Sequence, residues 1–479
     1  MKSVKQANFI DASIPLIFLI ACLAGSVALY GGDSSYGPNQ IVLLLAAGVA
    51  SLIGLKNGFK WQQIEEAMIH GISVSMGAIF ILLAVGSLIG TFLMAGTVPT
   101  LIYLGLQVLD PDWFYAAACI LSAIVAMSIG SSWTTAATVG VALMGIANGI
   151  GASPAIAAGA VVSGAYFGDK ISPLSETTNL APAVSGSELF AHIRHMLWTT
   201  VPAFIMALIL FTILGFSEDK STGSISIDDV QNIILETYDV SAMHLIPLVI
   251  LVTLAIKKVP AFPSIFIAAL IGGVWGFIFQ PELLTKISGG DSFVSHLTIV
   301  WKALFDGFAV QTGDETMDKL LSGGGMANML NTIWLVMSAL MFGAVMEKLG
   351  LLEVFVRSIL KAAKNSGSLI TSTICTAFGI NLVTADQYIS IVMPGRMYRE
   401  EFERRGLENV NLSRALEDGG TITSPLIPWN TCGAYMAGVL LVSPLEYWQF
   451  AFFNLINPLL AIFFAFLGIK VLKKQPALA

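Results

Sequence analysis

Ser172-Pro-Leu-Ser-Glu-Thr-Thr-Asn179 and Ser424-Pro-Leu-Ile-Pro-Trp-Asn-Thr431 decide how this chain is read. They open on the same tripeptide, 252 residues apart, and both lie inside apolar regions. Pro173 and Pro425 each remove a backbone donor and stop a helix. The Ser, Thr and Asn side chains that follow supply oxygens where the chain is otherwise hydrocarbon. The same offset aligns Gly168 with Gly420, Gly186 with Gly438, and the polar tip Ser131–Thr135 with Val383–Gln387. A broken helix that occurs twice predicts two related halves.

The rest of the sequence says where those halves reside. Of 479 residues, 56% are hydrophobic and 11% charged, against about 25% charged in soluble domains. That excludes a soluble enzyme, a nucleic-acid binder and a disordered regulator. The net charge of −7 offers no basic excess for phosphate backbones. At about 20 apolar residues per span, the chain holds enough for about ten crossings or more. Cys22, Cys119, Cys375 and Cys432 are scattered singly and read as small buried packing residues, with no disulfide or zinc pattern. Met1–Ala12 is short and polar, and Ile14–Tyr30 has no convincing cleavage site, so it reads as a retained first span.

Several apolar runs are too short to cross a bilayer about 30 Å thick, and they cluster around residues 113–190 and 368–442. Charge between the runs predicts orientation. Lys2, Lys5, Lys56, Lys60, Arg194, Lys257, Lys258, Lys348 to Lys364, Arg396 to Arg414 and Lys470 to Lys474 mark cytoplasmic ends. Ala95–Asp112, Ser217–Asp239 and Pro281–Asp318 read as neutral or acidic outside loops. The sides alternate without conflict if Trp113–Gly149 and Ser368–Met397 each leave and re-enter on one side, with both termini cytoplasmic. Two full spans would place the flanking loops identically. Hairpins are favoured because the tips, Gly130-Ser-Ser-Trp-Thr-Thr135 and Thr384-Ala-Asp-Gln387, are polar, and irregular backbone at membrane depth survives only where protein or water satisfies it.

The loop after the first hairpin, Asn148–Ser153, is uncharged, whereas Arg396–Arg414 after the second is rich in arginine. The copies therefore have opposite orientation. The predicted fold is an all-α polytopic membrane protein of two inverted-topology repeats. Residues 1–240 hold hairpin 113–149 and broken helix 154–190; residues 241–479 hold hairpin 368–397 and broken helix 412–442. Each repeat has three spans, a re-entrant hairpin, a broken helix and a final span, the architecture of secondary transporters with midplane sites. Ser292–Ala309 and Glu353–Lys364 read as interfacial helices on the outer and inner surfaces.

A helix interrupted in the bilayer exposes carbonyls at one broken end and N–H groups at the other. With Ser, Thr and Asn oxygens added, the carbonyl end makes a cage for a small cation. Ionisable groups at that depth are costly and are functional candidates by default. Asp169 sits in the first break beside Lys170, Asp386 in the second tip, Glu417 and Asp418 open the second broken helix, and Glu176 lies in the first polar cluster. One carboxylate can hold either a proton or a cation, so Asp169, Asp386, Glu417 and Asp418 are the proton-coupling candidates. The structural alternatives are an ion pair with Lys170 for Asp169 and a solvated helix start for Glu417 and Asp418. His192 and His195, beside Arg194, read as ordinary interfacial residues, with pH sensing as the alternative. Trp133 and Trp429 either gate a site or pack.

Three blocks carry a resemblance: Gly168-Asp-Lys-Ile-Ser-Pro-Leu-Ser-Glu-Thr-Thr-Asn-Leu-Ala-Pro182, Ala385-Asp-Gln-Tyr-Ile-Ser390 with Pro394-Gly-Arg-Met397, and Leu416-Glu-Asp-Gly-Gly-Thr421 through Thr423-Ser-Pro-Leu-Ile-Pro-Trp-Asn-Thr-Cys-Gly433. At these residues the chain resembles the NhaC family of sodium/proton antiporters, and the similarity extends over most of its length. Membership implies exchange of Na⁺ for protons across the cell membrane, with no cofactor. It implies a transport site around Asp169, Ser172, Thr177, Asn179, Asp386, Asn430 and Thr431; Ser132 in the first tip and Ser424 in the second break complete the expected cation ligands. Glu176 stands where the family often has Asp, and Thr134 where it has Gly. The resemblance also implies the alternative of an organic-anion or amino-acid exchanger on the same cation site. Besides Na⁺, H⁺ and lipid, a homodimer is compatible with the sequence and nucleic acid is not. An intramembrane aspartyl protease built on Asp169 and Asp386 leaves the repeated Ser-Pro-Leu motif without a role.

Overall fold

The computed structural model describes residues 5–474 except 75, 109, 219–226 and 258, so Lys2 and Lys258 lie outside the described residues. No β-strand occurs among the described residues; two isolated bridges, Phe308 to Gly323 and Leu407 to Lys473, tie loops together. Eight of the helices are long and apolar enough to cross a membrane, and two bent pairs raise the number to ten. The chain is thus an all-helical, multi-pass membrane protein.

The first half runs α1 (Phe9–Tyr30), α2 (Pro38–Lys56), α3 (Trp61–Val74), α4 (Met76–Met94) and α5 (Thr97–Val108). It continues as α6 (Phe114–Ile129), α7 (Ser132–Thr135), α8 (Val141–Gly149), α9 (Pro154–Ile171), α10 (Glu176–Ser185) and α11 (Leu189–Ser217). Next come α12 (Ile227–Thr237), α13 (Ile246–Ile256), α14 (Ala261–Phe279), α15 (Pro281–Ser288), α16 (Phe293–Phe305) and α17 (Glu315–Leu320). The remainder is α18 (Leu330–Lys348), α19 (Leu351–Ala362), α20 (Ser366–Thr384), α21 (Gln387–Arg404), α22 (Asn409–Leu416), α23 (Thr431–Leu440), α24 (Pro444–Tyr447) and α25 (Phe452–Leu467).

The structure departs from the sequence pattern at several elements. Ala95–Asp112 is not an open loop: α5 fills most of it, because Val98, Ile102 and Leu106 form a buried stripe at helical spacing. Helix α12 likewise occupies much of the expected loop 217–239. The apolar residues 71–95 belong to two helices, the earlier of which begins at Trp61. Cys119 and Cys432 are buried as expected, but Cys22 is only partly buried and Cys375 is exposed. The first arms of both expected hairpins are not too short to cross: Pro111–Ile129 and Ser366–Thr384 have 19 residues each, or about 28 Å of helix, and are among the eight helices long and apolar enough to span.

What positions the site is the contact between α6 and α9. Gly164 and Gly168 let α9 approach the backbone of α6 so closely that a Cβ would lie 2.0 Å from the Cys119 carbonyl oxygen and 2.2 Å from that of Ala123. Small residues four apart at a helix contact are the usual means of such approach in membranes. Elsewhere α18 packs on α2 and α3, α4 on α14 and α16, and α20 on α21 and α25.

Helix boundaries around the breaks recur at a constant spacing. Gly130 and Ala385 are both left-handed, and Ser131 and Asp386 both cap the following helix. Ser175 and Asn430 cap ten-residue helices that end on left-handed Gly186 and Leu441. Members of each pair lie 255 residues apart, not the 252 of the Ser-Pro-Leu motif. Ser-Pro-Leu lies nearer its tip in the second half (39 residues from Ala385 to Ser424) than in the first (42 from Gly130 to Ser172), and the second break restores the three residues: the cap follows Ser172 at Ser175 but follows Ser424 only at Asn430.

Candidate functional site

The first tip and the first break meet at one carboxylate. Gly130 ends α6 in the left-handed region (φ 77°), and a Cβ there would lie 2.6 Å from that of Leu174, so the tip rests on the break. Ser131 turns the chain into α7, and Ser132 then donates to the Asp169 carboxylate through its N–H (3.1 Å) and its hydroxyl (2.7 Å). Asp169 thus sits at the start of a short helix, where unpaired amides favour negative charge. In the break, the Ser172 hydroxyl donates to the Met127 carbonyl (2.8 Å), and Ser175 and Thr177 hydroxyls lie 3.2 Å apart. Asn179 is exposed; its amide donates to the carbonyls of Pro173 (2.9 Å) and Ser175 (2.7 Å), so it braces the break.

The second tip and break are more tightly laced. Asp386 accepts the Ile389 N–H at 2.9 Å, and the Thr431 N–H donates to the Ala385 carbonyl at 2.9 Å. Asn430 donates to the Asn381 side-chain oxygen (3.1 Å) and accepts from the Cys432 N–H (3.0 Å). Gln387 accepts from the Ser424 hydroxyl (3.0 Å) and the Cys432 thiol (2.7 Å). Asn381 donates to the Gly420 carbonyl and to the Thr423 hydroxyl.

Charges buried beside these breaks follow a different pattern from the simplest reading. Lys170 pairs with Asp418, not with its neighbour Asp169, and both side chains are wholly buried. Asn457 of α25 donates to the same Asp418 oxygen at 2.8 Å. Glu417 is also wholly buried, and neither of its carboxylate oxygens has a hydrogen-bond partner. A solvated helix start is therefore excluded for Glu417 and Asp418. His192 and His195 are buried rather than interfacial, with His192 Nδ1 2.8 Å from the Ser413 hydroxyl oxygen.

Contacts that join the two tip-and-break regions include Lys170 to Asp418, the Tyr388 hydroxyl to Glu176, the Tyr435 hydroxyl to the Trp133 carbonyl (2.9 Å) and the Ser187 hydroxyl to that of Ser413 (3.1 Å). Trp133 also stacks on Tyr435 with ring centroids 4.1 Å apart, which is a packing role. Trp429 likewise packs, donating its indole N–H to the Leu382 carbonyl at 2.8 Å. Of the expected residues, Ser132 and Asp169 touch directly, Thr177 lies at the same break, and Ser424, Asn430 and Thr431 surround the tip that holds Asp386. Asn381, Gln387, Tyr388 and Asn457 bond to these tips and breaks without standing among the expected site residues. Asn381 and Asn457 are amides inside apolar helices, a readable signal; Gln387 lies within the quoted tip.

Oxygen donors at the first tip are one carboxylate with hydroxyls and carbonyls, a hard set suited to a small cation of low charge. Comparison with known proteins points the same way. Residues 164–469 match the Na⁺/H⁺ antiporter family. The chain is 39% identical over 439 residues to the Na(+)/H(+) antiporter NhaC of Alkalihalophilus pseudofirmus, covering 91% of this chain and 92% of that one. It is 35% identical to the malate-2H(+)/Na(+)-lactate antiporter of Bacillus subtilis, with 98% and 96% covered. It is 36% identical to the arginine/ornithine antiporter ArcD of Halobacterium salinarum, with 98% and 94% covered. By the matched model and by near full-length identity to its relatives, the chain belongs to the Na⁺/H⁺ antiporter family.

Proposed function

We propose that this protein is a secondary active transporter that exchanges Na⁺ for protons across the cell membrane, with no cofactor and no catalytic chemistry. The observation that carries the reading is the buried Asp169 carboxylate, held by Ser132 where a hairpin tip meets a broken helix. A lone carboxylate at such a place must be neutralised to remain there. Either Na⁺ or H⁺ can do so, but not both at once, and that exclusion is sufficient for exchange when the site opens alternately to each side.

Na⁺ is liganded by the Asp169 carboxylate with oxygens of Ser132, Ser172 and Thr177 in the first half-site; Asn179 holds the break from outside. Asp386, Ser424, Asn430 and Thr431 form the second half-site. Glu417 carries protons beside the first, and the Lys170–Asp418 pair keeps the remaining buried charge balanced. Two inverted repeats frame these half-sites. The recurrent helix boundaries support that reading, as does the spacing of α2 with α16, α4 with α18, α5 with α19 and α11 with α24, each 254 or 255 residues apart. Helices α12 and α13 have no counterpart in the first half, so they serve as the connection around residues 240 and 241. Both termini then lie in the cytoplasm.

A second reading is favoured by the relatives that carry malate and lactate, or arginine and ornithine: an organic solute exchanged on the same cation site. Purified protein in proteoliposomes with a trapped pH dye separates the two. Na⁺ pulses are expected to move protons with no organic solute present. Proton movement that appears only with lactate, malate or arginine would replace the first reading by the second.

A further inference from the structure

At one end of the molecule the residues before α1, the link after α2, the end of α18 and α19 enclose a groove of about 360 Å³. Lys5, Lys348, Arg357 and Lys361 line it, with Glu353 as the single acid among the lining residues. Glu353 is engaged by Arg357 at 2.5 Å, which leaves three lysines facing the groove with no acid of their own there. These cations come from three separate stretches of chain, gathered by packing: the Lys5 N–H donates to the Asn57 carbonyl at 2.9 Å, and Phe9 of α1 meets Phe355 of α19 edge-on. Phe59, Leu349 and Val354 give the lining an apolar side, with Gln6 and Ser358 the uncharged polar residues.

The surroundings select the occupant. Helix α19 buries Leu351, Leu352 and Val356 and exposes Arg357, Ser358 and Lys361, the pattern of a helix lying along a membrane surface. Beside the groove, α1 exposes Phe9, Ile10 and Ile14, an apolar face that belongs in hydrocarbon. A ligand that fits both is anionic at one end and hydrocarbon at the other. We propose that this groove binds the phosphate headgroup of an anionic phospholipid of the surrounding bilayer, with its acyl chains along α1. Basic clusters at membrane ends attract such lipids, and lysine stems can lie along the apolar lining while the ammonium groups meet phosphate.

The placement gives the lipid a consequence. Helix α19 leads directly into α20, whose far end carries the Asp386 tip, and Arg405 holds the link through the carbonyls of Ala363 (2.6 Å) and Asn365 (2.9 Å). A headgroup shared by Lys5, Lys348 and Lys361 fastens α19 to the ends of α1, α2 and α18. Lipid occupancy therefore sets how firmly the second hairpin is anchored.

Native mass spectrometry of the full chain, titrated with phosphatidylglycerol against phosphatidylcholine, tests this. Wild type is expected to retain phosphatidylglycerol selectively, Lys348→Gln and Lys361→Gln each to weaken it about fivefold, and the pair more. Glu353→Gln removes the one acid and is expected to strengthen retention, which a merely structural effect would not produce. Equal retention by wild type and the double variant would overturn the proposal. So would displacement of the lipid by millimolar inorganic phosphate, which would assign the groove to a soluble anion.

Discussion

Asp169 and Lys170 are adjacent in sequence yet answer to different partners, and the division of labour at the site depends on it. The first is held by Ser132 at a helix start; the second reaches Asp418, 248 residues away. A buried pair broken on one side leaves an uncompensated charge, costing about 3–5 kcal/mol. Lys170→Met is therefore expected to lower thermal stability in detergent strongly, and Lys170→Met with Asp418→Leu to recover much of the loss. Equal damage in the single and double variants would contradict the pairing. Asp169 was readable as a candidate from its depth alone, but the partner of Lys170 was not, because no local spacing connects the two break regions. The same applies to His192, whose neighbour Ser413 comes from the other half.

At the scale of elements, the two tips solve one geometric problem with different residues. Gly130 takes the left-handed turn without cost, whereas Ala385 takes it at φ 57° with a Cβ, a strain of about 1–2 kcal/mol. Strained backbone of this kind is tolerated where the surroundings hold it, here through Thr431, which bonds the Ala385 carbonyl. Ala385→Gly is expected to retain transport. Ala385→Val, β-branched in the same turn, is expected to slow it about tenfold, since each 1.4 kcal/mol is a factor of ten. Vesicle transport rates normalised to inserted protein check this. At the end of α21 remote from the tip, hydrogen bonding by Arg404 holds Glu401 below the ordinary glutamate range. A lowered carboxyl contributes stability above its unfolded value, lost only as the pH falls through the folded one. That cluster is therefore expected to leave transport unchanged between pH 6 and pH 8 (a window set well above the free Glu value of about 4.3), and Glu401→Gln should not move a pH profile there. Element breaks were legible because Pro173 and Pro425 announce them. Helices α3 and α5 were not, because a short amphipathic helix next to a span merges with it or passes for a loop.

Across the whole molecule, the proposed inverted repeat makes a topological prediction. After replacing exposed Cys375, a cysteine placed at Asn148 is expected to react with a membrane-impermeant maleimide from outside the cell. One placed at Gly406, after the second hairpin, is expected to react only when the inside face is accessible. Labelling of both from one side would remove the inversion. Composition placed the chain in a membrane, and the Ser-Pro-Leu pair located both breaks to within three residues; the 255 spacing of tips and caps arises from a shorter stretch before the second Ser-Pro-Leu and a longer break after it, which no charge or hydropathy pattern marks. Competition of Na⁺ and H⁺ for one carboxylate is the core of the proposed exchange. It is tested most directly by measuring the Na⁺ concentration for half-maximal exchange in proteoliposomes as the pH is lowered. Competition predicts that this concentration rises towards tenfold per pH unit on the acid side at constant maximal rate, and that Asp169→Asn abolishes the exchange. A half-maximal concentration independent of pH, or full exchange by Asp169→Asn, would contradict it.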